Sequence, residues 1–238
     1  MVRFTEEAGI VPHFAREEAE RRHQYYLGPE HLLLGLLVED DNPTVREMRA
    51  HGVNFEVVDN TAAMVLRAHG LNWETVRAGI DRLVAEGVLP GPQPSDAELL
   101  ATLGIDLDAV MARLEESFGW EAYYDAAQCV RLRPAQPFPH APGAGTPLIC
   151  WRVFRFVAEE AAARGQDATP LHWLLALLRD AEDPVEVTTG RYPMNRRERS
   201  MFGLPDHGPS PVRLLVESHG LTLDQLRRAV LEELDQTR

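Results

Sequence analysis

Apolar residues recur every three to four positions along most of the chain, which is the spacing of one face of a helix. Capping residues such as Ser, Thr, Asn and Asp precede many of these stretches, and no convincing strand pattern competes with them. The pattern predicts helices over residues 12–23, 29–39, 44–51, 55–69, 73–86, 96–103, 107–118, 120–130, 148–164, 170–180, 210–219 and 223–236. We therefore expect an all-α protein.

A seven-residue phrase, which we call the helix corner, occurs four times. Its copies are Gly52–Val58, Gly70–Val76, Gly104–Val110 and Gly220–Leu226. The glycine suits the left-handed position after a helix, where the following apolar residue can fold back on the last turn. The third residue of each copy is Asn, Asp or Thr and can cap the next helix. Each copy therefore predicts two helices that meet at a short, fixed turn.

The chain also repeats on a larger scale. A shift of 141 positions places His31 on His172 and Pro43 on Pro184, together with most of the leucines between them. A long ungapped match of this kind predicts two related halves. The segment Asn42–Val58 is copied again as Asn60–Val76 inside the first half, so one helix corner has a tandem copy.

These repeats and the positions of Pro and Gly predict the domain organisation. The expected parts are a first repeat over 1–88, a middle helical segment over 95–132, a Pro/Gly-rich linker over 133–147, and a second repeat over 148–238 with an insertion at about 183–210.

The composition argues against several classes of partner. The chain has 238 residues and a net charge of −13, which is unfavourable for contact with nucleic-acid phosphates. No apolar run approaches the roughly 20 residues that span a bilayer, and no secretory segment opens the chain. We expect a cytoplasmic protein that binds neither nucleic acid nor membrane.

The nine histidines do not follow the spacing of a metal site. His51, His69 and His219 each precede a corner glycine, where a histidine can bond the last helical carbonyls. His31 and His172 lie in the first turns of two very apolar helices, and we expect an internal hydrogen bond for each.

No catalytic constellation is recognisable in the sequence. Cys129 and Cys150 lack the spacing of a metal or redox pair and have no neighbouring histidine, so buried or idle thiols are expected. The chain has no lysine, which excludes a phosphate-loop or Schiff-base lysine. We expect no catalytic residue, no metal site, no cofactor and no enzymatic activity.

Four motifs in this order carry a family resemblance. They are Phe4-Thr5, Ala15-Arg-Glu-Glu-Ala19, Tyr26 to Leu37 and Gly52-Val-Asn-Phe-Glu56, and they resemble the N-terminal domain of Clp-family ATPases, especially ClpC. Residues 4–58 follow the family pattern without a gap, and the second half follows it more loosely.

The resemblance implies an all-α fold of two pseudo-symmetric Clp N-domain-like repeats, here with an extra helical segment between them. In the family this domain stands before the ATPase rings and receives substrates, adaptor proteins and phosphoarginine-tagged chains. Because no nucleotide-binding motif occurs, the chain is similar to freestanding actinobacterial ClpC-like proteins.

The resemblance also implies candidate ligand-binding residues. Phe4 belongs to the family's apolar ligand surface, and Thr5 and Thr146 complete the two related motifs. Glu30 and His31 stand where the family recognises phosphoarginine. The second half has Leu171 in place of Glu30, so at most one phosphoarginine site is expected.

We therefore expect a binding protein whose partners are Clp protease components, their substrates or adaptors, phosphoarginine-tagged chains or cyclic peptides. It would act as an accessory, adaptor or decoy for a ClpC–ClpP protease. The alternative is a protein-interaction scaffold unrelated to Clp proteolysis, which would use the arginines and methionines at 191–202 of the insertion as its contact surface.

Overall fold

A computed structural model describes residues 2–24, 26–38, 42–50, 60–92, 94, 96–118, 150–183, 185–186 and 207–236. Their helices are α1 (Glu6–Arg21), α2 (Pro29–Leu36), α3 (Pro43–Ala50), α4 (Thr61–Ala68), α5 (Trp73–Ala85), α6 (Asp96–Thr102), α7 (Leu107–Phe118), α8 (Trp151–Arg164), α9 (Pro170–Glu182), α10 (Pro211–Glu217) and α11 (Leu223–Gln236). The all-α prediction is confirmed. The predicted helix 120–130 and the linker 133–147 lie outside the described residues.

Two helix boundaries differ clearly from the prediction. α1 begins at Glu6 rather than at residue 12, because the Thr5 hydroxyl accepts a hydrogen bond from the Ala8 N–H and caps the helix. In the described residues the helix predicted over 55–69 begins at Thr61, and its predicted residues 55–59 lie outside the described residues. Asn60 caps it there, since its side-chain oxygen accepts the N–H of Ala63 at 2.7 Å.

The three helix corners within the described residues have the predicted geometry. Gly70, Gly104 and Gly220 take φ values of +81°, +75° and +73°, which side chains with a Cβ rarely adopt. Their caps form as well: Asn72, for example, accepts the N–H of Thr75 at 2.8 Å. The corner at Gly52–Val58 lies outside the described residues.

The chain divides into two compact units, one formed by Met1–Gly91 with Pro147–Arg238 and the other by Pro92–Thr146. In the first unit, one hydrophobic cluster contains residues from both halves of the chain. All eight residues of α2 are buried, and α9 buries 11 of its residues. These two helices are the centre of the core, as their apolar sequences predict.

Helices of the two halves occupy matching places around α2 and α9. α1 packs on α2 and α8 packs on α9, while α4 packs on α11 and α5 on α10. The corner α4–α5 therefore packs against the corner α10–α11. Gly35 lets α2 approach α1 closely, because a Cβ there would lie 2.5 Å from the carbonyl oxygen of Val11.

A short antiparallel pair closes the predicted insertion at its base. Val185 pairs with Gly208 and Glu186 with His207. No strand was predicted here, and the pairing involves only two residues on each side. Residues 187–206, which include the predicted arginine and methionine contact surface, lie outside the described residues.

Candidate functional site

Phe4 and Thr5 lie where the N-terminal segment meets the second half of the chain. The Thr5 N–H donates to the carbonyl of Ala168 at 2.9 Å, and the Ala168 N–H donates to the carbonyl of Arg3 at 2.7 Å. These bonds fix the backbone of Phe4, while its side chain remains 40% exposed. An exposed aromatic ring on a fixed backbone is well suited to contact an apolar ligand.

Two further aromatic rings support Phe4. The ring centroids of Phe4 and Trp173 are 6.1 Å apart, and Trp173 meets Phe154 edge-on at 4.8 Å. We call Phe4, Phe154 and Trp173 the Phe4 surface. Phe154 is partly buried and Trp173 is buried, so Phe4 is the most exposed member. The sequence reasoning missed the other two, although a tryptophan at the position equivalent to Leu32 was a usable signal.

A hydrogen bond from Trp173 anchors this surface to α1. Pro12 lies inside α1 and has no N–H, so it cannot donate to the carbonyl of Ala8 four residues earlier. The indole N–H of Trp173 donates to that carbonyl at 2.8 Å. A residue of the second half thus replaces the helical hydrogen bond that Pro12 removes, which lets α1 continue through the proline.

His31 makes the internal hydrogen bonds that were predicted. Its Nδ1 accepts the N–H of Gly28 at 3.1 Å, which leaves the proton on Nε2 to be donated to Oε1 of Gln24 at 2.8 Å. Gln24 in turn donates to the carbonyl of Pro90. Burial, followed by the charge of Arg22, lowers the pKa of His31 from 6.5 to about 3. His31 is therefore neutral and bonded internally at the start of α2, and a ligand role for it stays a prediction.

His172 repeats this arrangement at the start of α9. Its Nδ1 accepts both the N–H of Thr169, at 3.1 Å, and the Thr169 hydroxyl, at 2.9 Å. Its Nε2 is buried and finds no partner among the described residues. Burial and, secondarily, Arg164 lower the pKa of His172 to about 4, against an opposing contribution from Glu160. The two halves thus cap their central helices in the same way.

Glu30 lies inside the core and is 0% exposed. Its carboxylate fills the space that a Cβ at Gly28 would need, and its Oε1 is 3.7 Å from Nδ1 of His31. The second half has Thr169 and Leu171 at the equivalent positions, and Leu171 is buried too. Glu30 and Leu171 therefore occupy equivalent interior positions at the start of α2 and α9, and a ligand role for Glu30 stays a prediction.

Cys150 lies near Glu30 and is a buried free thiol, as predicted. Burial raises its pKa well above the ordinary value, and the neighbouring carboxylates of Glu30 and Asp180 raise it further. The thiol is therefore protonated and unreactive at neutral pH. Cys129 lies outside the described residues.

The four described candidate residues form two pairs of sequence neighbours. Phe4 and Thr5 are adjacent at the Phe4 surface, and Glu30 and His31 are adjacent at the start of α2. Thr146 lies outside the described residues. Of the four candidates within the described residues, Phe4 is the one whose side chain is exposed.

His69 and His219 bond the last turns of their helices as predicted. In each case Nδ1 lies 2.9 Å from the carbonyl oxygen four residues earlier, that of Val65 or of Leu215. His51 lies outside the described residues. Beside His69 a cavity of about 280 Å³ opens between the α4–α5 corner and α11, lined also by Arg228 and Glu232. The Phe4 surface does not line this cavity.

The described part of the chain shows no group of three His, Cys, Asp or Glu side chains that could hold a metal ion. No helix in that part is long and apolar enough to cross a membrane.

The fold and the Phe4 surface define a helical domain with an exposed aromatic contact surface. Residues 3–69 match the family model of the Clp repeat (R) N-terminal domain, which confirms the predicted resemblance over this segment. The chain is also similar to the crystal structure of the N-terminal domain of the caseinolytic protease associated chaperone ClpD from Arabidopsis thaliana. The identity is 15%, the alignment covers 98% of this chain and 95% of that chain, and the TM-score is 0.46. No curated protein matches the sequence significantly.

Proposed function

We propose that this chain is a non-catalytic binding protein of the Clp system, which takes up peptide segments or adaptors through the Phe4 surface. It would act as an accessory, adaptor or decoy for a ClpC–ClpP protease. One observation carries the proposal: the segment that matches the Clp repeat N-terminal domain includes Phe4, whose ring is exposed on a fixed backbone.

The physical properties of the Phe4 surface support apolar peptide binding. The ring of Phe4 packs on Trp173, and the N–H of Trp173 is bonded to α1, so the surface is held from both halves of the chain. A preorganised aromatic group loses little conformational freedom on binding, and such residues often contribute much of the binding free energy. Unfolded chains and cyclic peptides present suitable apolar side chains.

Phosphoarginine recognition by Glu30 is a narrower version of the proposal. A guanidinium bonds strongly to a carboxylate that it can approach with both N–H groups. Because Glu30 is buried, this contact would require the start of α2 to open. Calorimetry with phosphoarginine would test it. Heat of binding in the wild type that disappears in Glu30→Gln would support the site, and no heat at saturating ligand would remove it.

The main test measures degradation of a fluorescein-labelled unfolded protein by purified ClpC and ClpP of the same organism. Added wild-type chain should change the rate, raising it as an adaptor or lowering it as a decoy. Phe4→Asp should abolish the effect, since a charge replaces the exposed ring. Met64→Asp is the matched control, because Met64 is 58% exposed and lies outside the Phe4 surface.

Circular dichroism should show the same helix content for both variants, because the backbone bonds at Phe4 do not involve its side chain. If wild-type chain leaves the rate unchanged at concentrations well above that of ClpC, the proposal is wrong. If Phe4→Asp acts like the wild type, the effect exists but uses another surface.

A further inference from the structure

The corner formed by α6 and α7 has the same backbone geometry as the packed corners. The N–H of Ile105 donates to the carbonyl of Leu100 at 3.0 Å, just as the N–H of Leu71 donates to that of Leu66 at 3.0 Å. Asp106 caps α7 by accepting the N–H of Ala109 at 3.0 Å. The corner at Gly104 therefore has the same hydrogen-bonded turn as the Gly70 corner, which packs in the core.

Four of its described apolar side chains, those of Leu99, Leu103, Ile105 and Val110, are nevertheless exposed. Leu71 and Val76 are fully buried in the Gly70 corner, whereas the equivalent Ile105 and Val110 are each 41% exposed. Leu103, in the turn just before this corner, is 74% exposed. Several large aliphatic groups exposed within one short helix pair are typical of a surface that a partner covers.

The packed corners indicate the shape of such a partner. Inside the first unit, α4 packs on α11 and α5 on α10, so each corner buries its apolar positions against helices. A helix of a partner can fill the same role on α6 and α7. Helix-in-groove recognition of this kind uses apolar side chains three to four residues apart.

The charge of the helix pair indicates the chemistry of the partner. Residues 96–118 contain six carboxylates (Asp96, Glu98, Asp106, Asp108, Glu115 and Glu116) and one basic residue, Arg113. A second copy of the same corner would bring like charges together, which is unfavourable. A helix whose apolar face is bordered by Arg or Lys has complementary charge.

We propose that the Gly104 corner is a docking surface for a basic amphipathic helix of a partner protein. The aliphatic residues Leu99, Leu103, Ile105 and Val110 contact its apolar face. The exposed carboxylates of the described side chains, Glu98, Asp106 and Glu116, attract its basic borders. This surface shares no residue with the Phe4 surface, and the proposal does not depend on the function proposed above.

The test uses the full chain and two synthetic peptides of about 18 residues. One peptide carries leucines at helical spacing with arginines at both borders of the leucine face, and the other replaces those arginines with glutamates. Each peptide is titrated with the wild-type chain, with Leu103→Ser and with Met64→Ser. Both substitutions remove an exposed apolar side chain without changing the charge, and they differ in location.

We expect the basic peptide to bind the wild type and Met64→Ser equally, and to bind Leu103→Ser at least tenfold more weakly. Fluorescence anisotropy measures the dissociation constants, and circular dichroism confirms that the variants keep their helix content. The acidic peptide should not bind. Binding of the basic peptide should weaken as the salt concentration rises.

Three results would overturn the proposal. Equal binding to Leu103→Ser and the wild type would show attraction by charge alone or at another surface. Failure of the basic peptide to bind at all would exclude this partner chemistry. A dimer of the wild type in analytical ultracentrifugation that is lost in Leu103→Ser would identify a second copy of the chain as the occupant.

Discussion

The hydrogen bond from Trp173 to Ala8 leads to a quantitative prediction about stability. Trp173→Phe keeps an aromatic ring but leaves the buried carbonyl of Ala8 without the indole donor, while Pro12 still supplies none. A buried polar group that loses its partner costs about 1–3 kcal/mol. The smaller ring adds a packing loss of about 1 kcal/mol. We expect the free energy of unfolding to fall by about 2–4 kcal/mol.

A second substitution isolates the hydrogen bond from the packing loss. Pro12→Ala restores an N–H that can donate to the carbonyl of Ala8 within the helix. In the wild-type background this N–H competes with the indole N–H for the Ala8 carbonyl. In the Trp173→Phe background it is the donor that takes the place of the indole N–H. The stabilising effect of Pro12→Ala should therefore be about 1–2 kcal/mol larger in the Trp173→Phe background.

Urea unfolding followed by circular dichroism at the helix band measures all four proteins of this cycle. Trp73→Phe is the matched control, because the Trp73 indole N–H is buried but has no acceptor in the described residues. Its replacement should cost clearly less than that of Trp173. A coupling energy below about 0.5 kcal/mol between positions 12 and 173 would refute the reasoning, since independent sites add within that range.

Two further predictions concern pH and close packing. The folded-state pKa values of His31 (about 3) and His172 (about 4) lie below the ordinary value of 6.5. Between these pH values the unfolded chain binds more protons than the folded chain, so the free energy of unfolding falls as the pH drops from about 6.5 towards 4. Each histidine contributes up to about 1.4 kcal/mol per pH unit, and urea unfolding between pH 7 and 5 should show a smaller loss in His31→Asn. Gly35→Ala should destabilise by at least about 1–3 kcal/mol because its Cβ would collide with the carbonyl oxygen of Val11. In thermal melts Gly9→Ala, with open space around it in α1, should be neutral or stabilising; equal effects of both would contradict the packing argument.

The local elements of this fold could be predicted from the sequence because their signals are local. Gly70, Gly104 and Gly220 each take the left-handed conformation that the corner phrase requires, and the residue two positions later caps the next helix. The continuation of α1 through Pro12 could not be predicted in the same way. Whether the helix continues through Pro12 depends on Trp173, which is distant in the sequence and contributes the missing donor.

In the candidate site, too, the residues with a local sequence signal could be predicted and those that depend on distant contacts could not. Phe4 follows from the family motif, and its exposure is compatible with the predicted role. Trp173 and Phe154 were missed because Trp173 meets Phe4 only when the two halves pack, and Phe154 joins the cluster through Trp173. Glu30 was predicted from a motif that carries no information about burial, and in the structure it lies in the core with Leu171 at the equivalent position.

The burial of α2 has a consequence for how this protein is made. α2 is covered by α9 and α10, which are encoded far downstream. At about 5–20 residues per second, a ribosome needs roughly 7–27 s to proceed from the end of α2 to the start of α9. During that interval the nascent chain carries an almost wholly apolar helix without the part of its cover that α9 and α10 supply. We expect the matched segment 3–69 to be unable to fold alone. We also expect the emerging chain to bind the cell's general chaperones before it binds a partner protein.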